Sequence, residues 1–391
     1  MSNNRDKHTV RIVIGSLDIG GTETHLFRIL PRLKSDKLSP VVITLTHRGQ
    51  LADGLQSLGV PVYGPPQIVR VTQRIPYLRR VIGPVSTILY LISRFVRTPA
   101  SVTCFYLPSS YFLGMIAAFL TGTTGKTLMF RRSLNVYQDN WPFIRSLEPL
   151  LHKLTHAIAG NSQAVIRQLR DEEGVPSHKL TLIYNGIDIP ADTDISGRAG
   201  TRNNLGIAED VIVLSIVANL IPYKGHADLL AALSRISDKI GHHWILLCVG
   251  SGIEQRKDLT DLVKQYDLSD KVRWLGQRQD VSDILCASDI GLLVSHHEGF
   301  SNSVLEGMAA GLPMIVTAVG GNPEAIIDQE CGLVVPPRDP VALAKAILYL
   351  ANNLETARKY GAAARERVRL IFSMDSCLAS YRQLLDKMMS E

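Results

Sequence analysis

The sequence predicts an α/β protein made of two successive doubly wound domains, each a mostly parallel sheet with helices on both faces. Three observations carry this. The chain has 391 residues, more than one hydrophobic core usually organises. Short β-branched apolar runs alternate with runs of helical period almost from end to end. The rhythm breaks once, around residues 188–204, and then restarts.

Taken in order, residues 9–15 form a β-branched apolar run that stops at Gly15. Residues 22–33 follow with helical spacing of Leu26, Ile29, Leu30 and Leu33. Strand character returns at 40–45, 102–107, 127–130, 156–160 and 180–184. Residues 188–204 hold Pro190, Gly197 and Gly200 among small and polar residues and read as a linker. Strands are expected again at 211–218, 244–249, 272–275, 290–294, 314–317 and 333–335. Residues 375–389 read as an amphipathic closing helix. The expected division is therefore 1–190, 191–370, and a terminal segment 371–391 that packs back toward the first domain. Ligands of such folds bind at the carboxyl ends of strands, and the crevice between the two domains is the expected site.

Composition sets the class. Hydrophobic residues make up 46% and charged residues 20%, which fits a globular chain rather than a disordered one. No apolar run reaches the length of a membrane span, and the polar residues 1–10 do not read as a secretory signal. Five scattered cysteines, none paired at metal-ligand spacing, fit small core residues in a reduced cytoplasmic setting. Charge is uneven: residues 1–190 carry a net +11 and residues 191–391 a net −5. A basic first half fits an anionic membrane, an anionic acceptor or a plain solvated surface. No nucleic-acid-binding motif accompanies it. Arg70, Arg74, Arg79, Arg80, Arg94 and Arg97 flank the apolar run 81–93. That segment reads either as an interfacial helix for anionic lipid or as a core-packed helix with charged ends.

The stretch from Ser295 to Pro313 is the most informative. A strand at 290–294 leads through a Glu298-Gly299-Phe300 turn into a helix ending near Ala310, with Ser301 or Asn302 as N-cap and Gly311 as stop. A strand, glycine turn and helix present backbone N–H groups and the positive end of a helix dipole to an anion. Gly299 permits close approach to the backbone. A carboxylate repels phosphate, so Glu298 fits sugar hydroxyls, and Glu306, two turns into the helix, fits a ribose diol. The competing reading makes the two glutamates a capping and a surface carboxylate.

This stretch resembles the Glu-x7-Glu motif of retaining glycosyltransferases with the two-domain GT-B fold, the large group that includes sucrose synthase and glycogen synthase. Asn185-Gly186-Ile187-Asp188, Asn219-Leu220-Ile221-Pro222-Tyr223-Lys224-Gly225, Val249-Gly250-Ser251-Gly252, Val272-Arg273-Trp274-Leu275-Gly276 and Val319-Gly320-Gly321-Asn322-Pro323-Glu324 resemble further motifs of that family, in order. Asp18-Ile19-Gly20-Gly21-Thr22-Glu23 resembles its Gly-Gly-x-Glu loop. The resemblance covers nearly the full chain and is strongest over 180–340. It implies a nucleotide-sugar donor, a sugar or lipid-linked acceptor, no metal and no separate cofactor. It assigns Lys224 to the donor diphosphate, a role that suits a flexible ammonium, and pairs it with Glu298 as the catalytic residues. Gly20, Gly21, Asn219, Gly250, Gly252, Gly276, Gly299, Phe300, Ser301, Asn302 and Glu306 become donor-binding positions.

Two departures stand out. The family often places an arginine in the loop before the lysine, where this chain has Asn219 and Ile221; Arg256 is a possible substitute. Many relatives place a histidine after the fifth strand of the first domain, where this chain has Phe130-Arg131-Arg132. Arg131, Arg132 and His25 are therefore candidates for an acceptor or phosphate contact. Two other readings share the fold: a nucleotide-sugar 2-epimerase and a non-catalytic subunit.

Overall fold

The structure, a computed structural model, describes residues 8–74, 82–140, 142–189 and 195–390. The chain divides into two compact units. The first comprises Met1–Gly186 with Met374–Glu391, and the second Ile187–Ser373.

The first unit holds a sheet of seven strands in the order β3-β2-β1-β4-β5-β6-β7. They are β1 (His8–Ile14), β2 (Leu38–Thr44), β3 (Val62–Tyr63), β4 (Val102–Tyr106), β5 (Thr127–Arg131), β6 (Ala157–Gly160) and β7 (Leu180–Leu182). Every pairing is parallel. β1 alternates its side chains between two cores, because successive residues of a strand face opposite ways. Ile12 and Ile14 join the core under the helices Gly21–Leu33 and Met374–Ser390, while Val13 joins the core under the helices Gly83–Arg97 and Pro108–Leu120. The closing helix therefore packs on the first unit's sheet. Its Tyr381 ring stacks on Phe130 at 5.0 Å, and Phe130 stacks on Tyr106 at 4.5 Å.

The second unit holds a six-stranded parallel sheet in the order β10-β9-β8-β11-β12-β13. Its strands are β8 (Ile212–Val217), β9 (Trp244–Val249), β10 (Val272–Gly276), β11 (Ile290–Leu293), β12 (Met314–Thr317) and β13 (Gly332–Val335). β8 and β9 are buried almost throughout, as expected for strands covered on both faces.

In both sheets the strand order reverses beside the first strand, between β1 and β4 and between β8 and β11. At such a switch point the loops leaving neighbouring strands diverge to opposite faces and open a crevice at the carboxyl edge.

Two sequence expectations need correction. The two-residue β3 was not foreseen, since it is too short to show a period. The expected linker is largely a helix, Ile195–Asn204, while Pro190 and residues 191–194 lie outside the described residues. Its glycines had suggested a break. The helix is anchored instead by two arginines. Arg202 is fully buried and reaches the carbonyls of Ala287, Ala208, Glu209 and Val211, and Arg198 and Arg202 both bind Asp289.

Candidate donor site at the β8–β11 switch point

β8 and β11 are neighbours, so the segments following them emerge side by side. After β8 the chain makes a 3₁₀ turn, Pro222–Lys224, then passes through Gly225 at φ +75° into the helix His226–Ser234. A side chain at Gly225 would bring its Cβ within 2.1 Å of the Val294 carbonyl oxygen at the end of β11. Glycine is thus required both for the left-handed backbone and for the close approach. The His296 amide donates to the Tyr223 carbonyl at 2.7 Å, and His296 Nε2 lies 2.7 Å from Asp228 Oδ2 on the following helix. The Tyr223 and His297 rings pack at 4.6 Å.

These contacts bring Lys224 to Glu298. Lys224 Nζ stands 2.5 Å from Glu298 Oε1, with the two side chains 17% and 12% exposed. The same oxygen accepts from Ser295 Oγ at 2.7 Å. Glu298 is also braced from below. A Cβ at Gly320 would lie 2.0 Å from the Glu298 carbonyl oxygen, and the Gly321 amide donates to the Gly299 carbonyl at 2.8 Å. The Gly-Gly-Asn-Pro turn therefore serves as a floor for the Glu298-Gly299 turn.

The helix after that turn spans Asn302–Ala309, with Ser301 as its N-cap residue in extended conformation. The Ser301 hydroxyl lies 3.0 Å from that of Ser303 and makes no bond to the helix amides. Glu306 sits half-buried as the fifth residue of this helix, one turn in rather than the two expected, because the helix begins only at Asn302. Phe300 is different. It is 5% exposed and packs on Phe372 at 5.3 Å, so its side chain belongs to the core, and only its backbone remains available to a donor.

The remaining donor positions lie along the same edge. Gly250 and Gly252, at φ +153° and +139°, pass so close to Ala218 and Leu220 that a Cβ would clash with either. Asn219 braces this turn by accepting from the Ser251 amide and hydroxyl at 3.1 and 3.0 Å. Its role as seen is structural, and it supplies no charge in place of the missing arginine. The Gly276 carbonyl accepts from the Gly250 amide at 2.9 Å, and the space where a Gly276 side chain would lie is open. Arg256 sits exposed on the first turn of the helix Ile253–Gln265.

In the first unit, Gly20 and Gly21 open the helix Gly21–Leu33 after β1. Burial raises the Glu23 carboxyl above its usual range, opposed by a backbone hydrogen bond and by the positive charge of Arg132. Arg132 is half-buried and donates to Asn185 Oδ1 at 2.8 Å. Two groups missed in the sequence stand at this edge. His47, just past β2, lies 2.7 Å from Asp18 Oδ2, which also accepts from Ser16 Oγ at 2.7 Å. Leu107, after β4, adopts φ +73°, a conformation that costs a non-glycine residue energy.

Two candidates are overturned. His25 is 2% exposed and lies 3.2 Å from the Tyr381 hydroxyl within the core, where burial holds its pKa well below the usual histidine value. Arg131 is 2% exposed and pairs with Glu148 at 2.6 Å and with Glu173. His25 lies four residues before Ile29, on the buried face of its helix, and Arg131 ends β5; both side chains turn inward. His152 joins the same network at 2.8 Å from Glu173. Among the described residues Glu148, His152 and Glu173 are the one group of three side chains spaced to hold a metal. The Arg131 guanidinium already binds both carboxylates, and Tyr137, Gln138 and His152 take up their remaining oxygens, so the group is a buried ion-pair and hydrogen-bond network.

Two doubly wound units, the second with an ammonium, a carboxylate and a helix N-terminus gathered at its switch point, define a GT-B-type protein. The family model for Glycosyltransferase Family 4 matches residues 19–190, and that for glycosyl transferases group 1 matches residues 198–367. The chain belongs to the family 4-like, group 1 glycosyltransferases. It is 29% identical over 245 residues to a D-inositol 3-phosphate glycosyltransferase of Geodermatophilus obscurus, covering 59% of this chain and 53% of the relative. It is 31% identical over 211 residues to an N-acetyl-alpha-D-glucosaminyl L-malate synthase of Bacillus anthracis, covering 54% of each. The chain thus spans about half the length of the curated relatives it matches. In fold it is similar to HepE of Anabaena in complex with UDP-glucose, with a TM-score of 0.83, 18% identity, and coverage of 97% and 100% of the two chains. A glycosyltransferase of Rickettsia africae gives 0.80 at 19% identity, covering 99% and 100%.

Proposed function

We propose that this protein is a retaining glycosyltransferase that moves a sugar from a nucleotide-sugar donor to a saccharide or lipid-linked acceptor, in polysaccharide or glycoconjugate assembly in the cytoplasm. The observation that carries the reading is the Lys224–Glu298 pair at the β8–β11 switch point, beside the N-terminus of the helix Asn302–Ala309. In this reading the donor diphosphate takes the Lys224 ammonium and the helix N-terminus as its positive partners. Glu298 accepts hydrogen bonds from the transferred sugar, and Glu306 from the ribose. The acceptor oxygen bonds to the anomeric carbon as the carbon–phosphate oxygen bond breaks, on the same face. The departing diphosphate receives the acceptor proton, so no separate protein base is required. Catalysis is then chiefly positioning and stabilisation of the leaving charge, with no bound metal in the scheme.

The relatives carry transferase and synthase names, and one structural neighbour is described with UDP-glucose. Both favour transfer over epimerisation of the donor. The test is a thermal-shift screen of UDP-, GDP-, ADP- and dTDP-sugars, since a bound donor stabilises the native state by mass action. The stabilising donor is then incubated with candidate acceptors and the product's anomeric configuration read by NMR. A stabilising donor and a product that keeps the donor's configuration are expected. Donor isomerisation without acceptor, or an inverted product, overturns the proposal.

A further inference from the structure

The helix Gly83–Arg97 buries Thr87, Tyr90, Leu91 and Phe95 against the first unit's sheet. Arg11, buried in β1, holds its carboxyl end by donating to the carbonyls of Phe95 and Thr98. The opposite face of this helix is also apolar. Val85, Leu89 and Val96 are spaced four and seven apart, so they share one stripe, and they are 56%, 61% and 70% exposed. The helices packed on either side continue the pattern. Gln67–Arg74 exposes Ile68 at 73%, and Pro108–Leu120 exposes Phe119 at 65%. Scattered exposed apolar residues are ordinary, but a set on three adjacent helices of one layer marks an interaction surface.

The charge around this surface decides the partner. Acidic residues number 36 in 391, yet residues 54–138, which include all three helices, contain none. The same segment holds nine lysines and arginines, of which Arg131 is buried in its own ion pairs. Arg70 and Arg97 lie exposed on the helices themselves. A second copy of this face would meet arginine with arginine and offer no carboxylate, which disfavours self-pairing. Apolar side chains flanked by the exposed Arg70 and Arg97 complement an interface that is apolar inside and anionic outside.

We propose that the outer faces of these three helices dock the protein on an anionic lipid bilayer, with Val85, Leu89 and Val96 inserted among the acyl chains. This goes beyond the transfer reading and does not depend on it. The test is co-sedimentation of the full chain with vesicles of phosphatidylcholine alone or mixed with phosphatidylglycerol. Binding only to the mixed vesicles, weakened by salt, is expected. Val85→Glu combined with Leu89→Glu should lower vesicle binding by about tenfold. It should leave the melting temperature and the donor-induced thermal shift unchanged, because both side chains already face solvent. Absence of binding, equal binding to neutral vesicles, or undiminished binding of the variant overturns the proposal. So does a dimer in gel filtration that the variant converts to monomer, which would assign the face to a second copy. Binding to polyglutamate without binding to vesicles would assign it to an acidic protein.

Discussion

Lys224 and Glu298 stand 74 positions apart in the chain and 2.5 Å apart in the fold. Their meeting follows from strand order, since β8 and β11 are adjacent although two other strands lie between them in sequence. Gly225 presses the lysine-bearing turn onto the end of β11, and Gly320 supports the glutamate from beneath. The pair is therefore held by backbone contacts on both sides rather than by two flexible side chains finding one another.

Removing either partner should be costly in two separable ways. Lys224→Met leaves a largely buried carboxylate without its cation, and Glu298→Gln does the reverse. Each should lower stability by about 1–3 kcal/mol in urea titrations. The double variant should recover part of that loss, because no charge is then left unpaired. All three variants should lose about a hundredfold or more in turnover with the donor that the thermal-shift screen identifies. Full turnover in either single variant would exclude that residue from the reaction.

Two glycines of the same unit provide a contrast. Gly225 and Gly276 both have positive φ, but a Cβ at Gly225 meets the Val294 carbonyl at 2.1 Å, whereas nothing lies within 4 Å of one at Gly276. Gly276→Ala should cost about 1 kcal/mol, the conformational term alone. Gly225→Ala must also push the lysine-bearing turn off β11. It should cost about 3 kcal/mol or more and lower turnover in the remaining folded protein. Equal losses for the two, read by denaturant titration, would refute the packing argument.

Those close approaches also mark what the sequence could disclose. The glycines, the lysine and Glu298 were legible because each sits past a strand end and before a helix, where local pattern fixes position, and Glu306 followed from the helix after them. Facing was not legible. His25 lies on a helix and Arg131 at a strand end, and both chemistry-bearing side chains turn into the core. The sign was indirect. Glu148, set between Leu147 and Pro149, is a carboxylate in an apolar run that needs a cation, and Arg131 is that cation. The contact of Asp18 with His47 was equally hidden, because it depends on β1 and β2 pairing in register.

The buried network around Arg131 predicts a stability effect without a catalytic one. Arg131→Met strands two buried carboxylates and should cost about 3–5 kcal/mol in denaturant titration. Its neighbour Arg132 is half-buried with one hydrogen bond to Asn185, so Arg132→Met should cost about 1 kcal/mol. If Arg131→Met folded with wild-type stability but lost acceptor binding, the acceptor role assigned from sequence would be restored.

His226 supplies the pH dependence. It begins the helix after Gly225, is 4% exposed, and its Nε2 finds no hydrogen-bond partner among the described residues. Burial, with a smaller contribution from the Lys224 charge, lowers its pKa from 6.5 to about 4. As pH falls from 6.5 toward 4, the unfolded chain takes up a proton that the folded chain refuses, so acid destabilises the fold. The stabilisation is whole above pH 6.5, and about 3 kcal/mol of it is lost by pH 4. His226→Gln keeps a polar side chain but removes the titration. Urea unfolding of both proteins across this range should give a stability difference that is constant above pH 6.5 and shifts toward the variant below it. Lys224→Met, which removes the secondary cause, should raise the histidine pKa and reduce the acid loss. A difference that stays constant through the whole range would mean that the folded protein accepts the proton as readily as the unfolded chain, and that His226 is not held neutral behind Lys224.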